Sequence, residues 1–400
     1  MQTTQPELVG LSGARLERIR PVMEGYIDRQ QFAGIVTCIA RQGQIAHLET
    51  FGWQEVETRR PMAVDTIFRI YSMTKAITSV AVMMLFEEAR LRLSDPLSRY
   101  LPEYKDARVM QPRGDGGSYD LVPARREITL HDLLTHTGGL SYGFDDHSAV
   151  DALYREAFET IEREVEPVME KRMKAFAAAR LPLAFHPGTA FRYSISTDVL
   201  GYIVELAAQK PFDEFLQERI FTPLGMVDTA FWVPPEKVGR FAAMYGPAEE
   251  GGLKAIDTPA ASRYIQPTRD PSGGGGLVST VHDYLRFGQM LLNGGELDGE
   301  RLLGCKTVEW MQQNHLPEGI HPNDSRADGF GLGGAVLLNP GLSHRPGSFG
   351  RFGWGGAANT EWWMDPLEEM QCLLMLQYMP AFTIPITDDF AQLAWQAIVT

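Results

Sequence analysis

Ser72-Met73-Thr74-Lys75-Ala76-Ile77-Thr78-Ser79-Val80-Ala81-Val82-Met83-Met84-Leu85-Phe86 is the stretch on which the fold turns. From Met73 onward its residues are apolar nearly all the way round a helical wheel, so the helix they predict is buried on every side. Polar residues at the start of such a helix need a reason to be there. Upstream, Gly10 to Gln30 has helical spacing of apolar positions, and from Gly34 the pattern changes to Ile35, Val36, Cys38, Ile39, then Ile45, His47, Leu48 and Thr50. The break between the two runs, Arg41-Gln42-Gly43-Gln44, reads as a hairpin turn in which Gly43 takes a positive φ.

Downstream, Asp95-Pro96 to about Phe231 consists of helical segments separated by Pro and Gly loops, and Tyr245 to Arg269 is irregular. Ser272-Gly273-Gly274-Gly275-Gly276 then leads into a helical pattern carrying Val281, Tyr284, Leu285, Phe287, Leu291 and Leu292. Phe330 to Leu338, Gly353 to Met364 and Met370 to Tyr378 read as strands, and Asp389 to Val399 as a terminal helix. Strands at both ends with helices between predict an α+β fold, an antiparallel sheet flanked by helices. Residues 1–95 and 265–400 are expected to form one α/β domain and 96–264 a mostly helical insertion. Trp362 and Trp363, adjacent in a strand, must face opposite ways.

At 400 residues, 44% apolar and 22% charged, the chain has ample material for a core. Its net charge of −14, with no basic cluster beyond Arg59-Arg60 and Arg125-Arg126, argues against nucleic acid and anionic membranes as partners. Cys38, Cys305 and Cys372 are too far apart for a disulfide framework or a zinc site, and buried thiols are expected. Met1 to Ile19 lacks the apolar core of a signal peptide, and Ser79 to Phe86 is far short of the roughly 20 residues that span a bilayer. A soluble, cytoplasmic protein is the expectation.

Ser72 and Lys75 stand at i, i+3, which brings hydroxyl and ammonium to one face of a helix. A free serine is a weak nucleophile; a lysine desolvated by an apolar surround gives up its proton more readily and could then accept the serine's. The helix N-terminus adds a field that favours a developing oxyanion. The alternative is a helix cap with a solvated lysine, so the pair alone does not decide. Two further stretches bear on it. His186-Pro187-Gly188-Thr189-Ala190-Phe191-Arg192-Tyr193-Ser194 places a tyrosine at a loop-to-helix junction, and Phe352-Gly353-Trp354-Gly355-Gly356-Ala357 has paired glycines that permit close backbone approach to a ligand.

In this order and at these separations the pieces resemble the β-lactamase and penicillin-binding superfamily of serine hydrolases, and most nearly its family VIII carboxylesterases and class C β-lactamase-like members. The likeness runs through Phe68 to Lys75, Leu133 to Leu140, His186 to Tyr193, Pro223 to Met226, Ser272 to Gly276 and Trp354 to Ala357. It implies a β-lactamase/transpeptidase-like fold with the active site between the α/β part and the helical insertion. It implies Ser72 as the acylated nucleophile, Lys75 and Tyr193 as general base and acid, and the backbone N–H groups of Ser72 and Ala357 as the oxyanion hole. Tyr142, Ile195, Trp354, Gly355 and Gly356 are expected to line the substrate pocket, and His136 to be structural. Class C lactamases carry Tyr-x-Asn and Lys-Thr-Gly, whereas this chain has Tyr193-Ser194-Ile195 and Trp354-Gly355-Gly356. Without that amide and ammonium the pocket should prefer neutral acyl groups. The expectation is therefore a cofactor-free esterase acting on small carboxylic esters. The same acyl-enzyme would serve an acyltransferase, a D-amino-acid peptidase or a β-lactamase.

Other signals carry less. Gly329-Phe330-Gly331-Leu332-Gly333-Gly334 contains G-x-G-x-x-G but leads into a strand rather than a helix, so no dinucleotide site is expected. No Gly-x-Ser-x-Gly elbow points to an α/β-hydrolase, and the nine histidines form no zinc-binding pair, so no metal is expected either.

Overall fold

Gln42 and Gly43 both take positive φ, 52° and 73°, and close a hairpin between β1 (Gly34–Arg41) and β2 (Gln44–Glu55). The structure, a computed structural model, describes residues 2–113, 118–322 and 325–400. Upstream, the first helical pattern is interrupted, with a single turn at Gly13–Leu16 before α1 (Ile19–Asp28). Next come the short β3 (Arg60–Pro61) and the buried helix α2 (Thr74–Glu87), in which every side chain from Thr74 to Leu85 is buried. Ser72 sits on a 3-10 turn, Tyr71–Met73, that feeds α2.

In the middle of the chain α3 (Ser196–Ala208) packs on α2, and two separate two-stranded hairpins, Arg108–Pro112 with Tyr119–Pro123 and Met244–Pro247 with Leu253–Asp257, interrupt the helices. After α4 (Val281–Leu292) the chain returns to the sheet with β4 (Asp328–Phe330), β5 (Ala335–Leu337), β6 (Phe352–Gly355), β7 (Glu361–Asp365) and β8 (Met370–Leu376), and ends with α5 (Ile386–Trp395). The eight strands form one antiparallel sheet in the order β4-β5-β6-β7-β8-β1-β2-β3, so β8 and β1, from opposite ends of the chain, lie side by side at its centre.

Two expected single strands are hairpins instead. Phe330 to Leu338 folds back at Gly331–Gly334, where Gly333 has φ +107° and lies so near α2 that a Cβ there would meet Ser79 Oγ at 2.6 Å. Gly353 to Met364 likewise breaks at Gly356–Thr360 into β6 and β7, with Asn359 at φ 61°.

The central strands are buried on both faces, because alternate side chains enter two different cores. Val36, Cys38, Leu373 and Met375 pack toward α2 and the helical middle of the chain, while Ile35, Ile39, Cys372 and Leu374 pack against α1 and α5. Trp362 joins the first core, edge-on to Tyr284 at 5.5 Å; Trp363 joins the second, stacked on Trp395. Cys38 and Cys372 are buried, but Cys305, expected inside, is exposed at the start of its helix. Among the described residues no helix is long and apolar enough to cross a membrane, and no group of three or more His, Cys, Asp or Glu could hold a metal ion.

Candidate active site

α2 brings Lys75 into the protein interior, 2% exposed, beneath a cavity of about 1760 Å³ that Ser72 lines. An ammonium has three N–H bonds. Here Nζ finds three acceptors: the Gly274 carbonyl at 2.6 Å, the Tyr142 hydroxyl at 3.1 Å and Ser72 Oγ at 3.4 Å. The i, i+3 spacing does what helical geometry requires of it, and burial leaves the charge no solvent to turn to.

The Tyr142 hydroxyl passes its own proton on, donating to Asp198 Oδ2 at 2.7 Å. Burial and the neighbouring Asp198 charge hold the Tyr142 phenol well above its ordinary range, so it is a neutral link between the ammonium and the carboxylate. Asp198, in the first turn of α3, also accepts the Ser272 hydroxyl and the Gly274 N–H on Oδ1. Gly274 thus closes a ring, with its carbonyl on Lys75 and its N–H on Asp198. Only glycine fits there, because a Cβ would lie 2.2 Å from Asp198 Oδ2 and 2.5 Å from the Tyr142 hydroxyl.

Tyr193 stands against the same ammonium differently. Nζ lies 4.6 Å from the Tyr193 ring centroid, and the phenol oxygen accepts the Trp354 indole N–H at 3.1 Å. His136 packs its ring on Tyr193 at 4.8 Å, with Nδ1 and Ser194 Oγ 3.3 Å apart. Full burial, reinforced by the Lys75 charge, holds His136 well below its ordinary value, and it is neutral.

Across the cavity β6 approaches the nucleophile turn closely. A Cβ on Gly356 would lie 2.3 Å from Thr360 Oγ1 and 2.4 Å from the Ile70 carbonyl, two residues before Ser72. Gly355 is merely tight, its nearest neighbour, the Thr360 carbonyl, being 3.2 Å away. The next N–H, that of exposed Ala357, has no acceptor among the described residues, and the Ser72 N–H is an orphan of the first helical turn. Tyr71, between Ile70 and Ser72, holds a φ of +41°, a strained setting for a bulky side chain.

Of the site residues named from the sequence, Ser72, Tyr142, Tyr193, Trp354, Gly355, Gly356 and Ala357 line one cavity. Ile195 does not. It caps α3, and its side chain is 3% exposed in the core, because the helix starting at Ser196 turns that position inward. The carboxylate of Asp198 and the Gly274 carbonyl went unforeseen. Their signals were an acid in the first turn of a helix, common at any helix start, and a glycine run that reads as a loop. Together the groups offer a hydroxyl next to a buried cation, a phenol in that cation's field, and a backbone N–H free to meet an oxyanion. Acyl transfer to a serine needs a nucleophile, a proton acceptor and an oxyanion site, and these groups are of a kind to supply them.

Comparison with known proteins agrees in kind. A family model described as Beta-lactamase matches residues 19–392. Esterase EstB of Burkholderia gladioli is 30% identical over 394 residues, 92% of each chain. Monacolin J acid methylbutanoyltransferase of Aspergillus terreus is 28% identical over 397 residues, covering 93% of this chain and 92% of that one. The solved structure of EstCE1, a hydrolase with promiscuous acyltransferase activity, superimposes with a TM-score of 0.80 at 26% identity, over 96% of this chain and 99% of that one.

Proposed function

The chain belongs to the beta-lactamase family, and from that premise we propose that it is a serine carboxylesterase working through a Ser72 acyl-enzyme. The observation that carries this reading is the Lys75 ammonium hydrogen-bonded to Ser72 Oγ on one side of a cavity whose other side presents the free N–H of Ala357.

In the reaction the Ser72 hydroxyl proton passes to Tyr193, whose oxygen is faced by the Trp354 N–H and whose ring is faced by Lys75. Both favour the Tyr193 phenolate, which takes this proton from Ser72 and, as the phenol, later gives it up to the leaving group. Ser72 Oγ bonds to the ester carbonyl carbon, and the carbonyl oxygen takes up negative charge between the N–H groups of Ser72 and Ala357. The intermediate collapses with cleavage of the ester C–O bond, and the proton goes to the departing alkoxide. Water then repeats the sequence on the acyl-enzyme, releasing the acid and free Ser72. Neutral acyl groups suit the pocket, since Trp354 presents an indole where class C enzymes have an ammonium.

Steady-state hydrolysis of p-nitrophenyl butyrate and of a chromogenic cephalosporin tests the reading. Ester turnover should far exceed lactam turnover and should vanish in Ser72→Ala. Lactam turnover in excess of ester turnover would overturn it. The size of the cavity favours a second reading, in which an alcohol takes the place of water and the acyl group is transferred to it. Ester product formed with added butanol, in excess of free acid, would establish that reading.

A further inference from the structure

A cavity of about 1760 Å³ is far larger than a short acyl ester needs, and its lining is of two kinds. Part of the lining is charged: Arg345 is tied to Glu361 and to Asp388, and Arg351 lines the same cavity. The lining also carries two phenyl rings, Phe144 and Phe382, which are 73% and 67% exposed. Single exposed apolar residues need no explanation. These two line the mouth of one catalytic cavity, and both are held in place.

Phe144 stacks on Tyr142 at 5.1 Å with an interplanar angle of 22°, and Tyr142 is bonded to Lys75. Phe382 has a φ of +62°, an uncommon conformation for a bulky residue. Its N–H is fixed by Asn359 Oδ1 at 2.9 Å, and Asn359 Nδ2 donates to the Tyr378 carbonyl at 2.8 Å. Asn359 belongs to the turn that follows the Ala357 N–H. Phe382 Cζ accordingly reaches within 3.9 Å of where a Cβ on Gly355 would stand. The two rings therefore belong to the two walls of the site, one on the side of the buried ammonium and one on the side of the oxyanion strand. The departing oxygen must face Tyr193, which returns its proton; the Tyr193 ring lies 5.6 Å from that of Tyr142, on which Phe144 stacks, so the alcohol half of an ester passes beside Phe144.

We propose that Phe144 and Phe382 form an apolar clamp over the alcohol half of the substrate, selecting esters whose alcohol carries a ring or branched hydrocarbon body over esters of small alcohols. The proposal rests on the esterase reading and adds its substrate class. Naphthalenemethyl acetate and ethyl acetate share an acyl group and both release an alkyl alcohol, so acid release in a pH-stat compares the alcohols alone. The ratio of their kcat/KM values should fall on the order of tenfold in Phe144→Ser and again in Phe382→Ser, the usual worth of a phenyl contact. Thermal unfolding of each variant checks that the fold is intact. A ratio unchanged in both variants overturns the clamp. If the wild-type protein hydrolyses neither ester, the esterase reading fails separately, and the clamp is then judged by naphthalenemethanol binding followed by fluorescence. Weaker binding to the double variant supports it, and equal binding overturns it.

Discussion

Replacing Gly356 by alanine tests how the oxyanion strand is held. The added Cβ would meet the Ile70 carbonyl at 2.4 Å, about 1 Å short of the 3.4 Å at which ordinary contact begins, and Thr360 Oγ1 at 2.3 Å. Thr360 can rotate its hydroxyl, but the Ile70 carbonyl is backbone in the turn that leads to Ser72, so β6 must retreat. A shift of about 1 Å at a reacting group costs on the order of 10²-fold, and loss of one oxyanion donor about 10²–10³-fold in kcat. We expect kcat for p-nitrophenyl butyrate to fall by about 10²-fold with a smaller change in KM, because the displaced N–H acts on charge that develops only in the transition state. Overpacking should also cost about 1–3 kcal/mol of stability, read by urea unfolding, which separates a displaced donor from a lost fold. A folded Gly356→Ala protein with kcat within threefold of wild type would refute the placement of the Ala357 N–H in the reaction.

Three other perturbations probe different layers. Asp198→Asn removes the charge that accepts from Tyr142, Ser272 and Gly274; kcat/KM should drop on the order of tenfold or more, and an unchanged value would show that the ring does not position Lys75. Burial pushes the His47 imidazole, 7% exposed and bonded to Thr37 Oγ1, down to about 4, below its unfolded value near 6.5. Because the unfolded chain binds that proton first, the stability it contributes, about 3 kcal/mol, is complete above pH 6.5 and is lost as pH falls toward 4. Urea unfolding of wild type and His47→Gln at pH 7 and pH 4.5 should show the smaller pH effect in the variant; equal effects would contradict the burial argument. Trp362→Ala empties a fully buried site between Tyr284, Phe287 and Phe352 and should cost about 3–5 kcal/mol, with less than 1 kcal/mol counting against the core assignment.

What could be read in the sequence was what is local. The Gln42-Gly43 turn follows from the backbone freedom of a residue without Cβ, and the Ser72–Lys75 pair from i, i+3 geometry. The buried character of α2 follows from its composition alone. The sheet built from both chain ends follows from strands at the two ends of the chain with helical segments between them. Glycines account for the two strands that proved to be hairpins. Gly331 to Gly334 and Gly356 reverse the chain inside stretches whose apolar residues look like continuous strands, because periodicity records side chains and not turns. Ile195 was misplaced for a related reason, since where α3 begins decides which way the second residue after Tyr193 points. The Lys75, Tyr142, Asp198 and Gly274 ring joins four separate segments, and no local pattern connects them. Tyr142 was expected only to line the pocket, whereas its hydroxyl is the one bonded to Lys75, and Tyr193 meets the same ammonium through its ring.

The central claim is that Ser72 becomes acylated and is then freed. Stopped-flow release of p-nitrophenol from p-nitrophenyl butyrate, with intact mass recorded on the same reaction, tests it most directly. A burst of one equivalent, a transient mass increase equal to one butyryl group and steady turnover, all absent in Ser72→Ala, are the predicted result. Turnover or an adduct that survives in Ser72→Ala would contradict it.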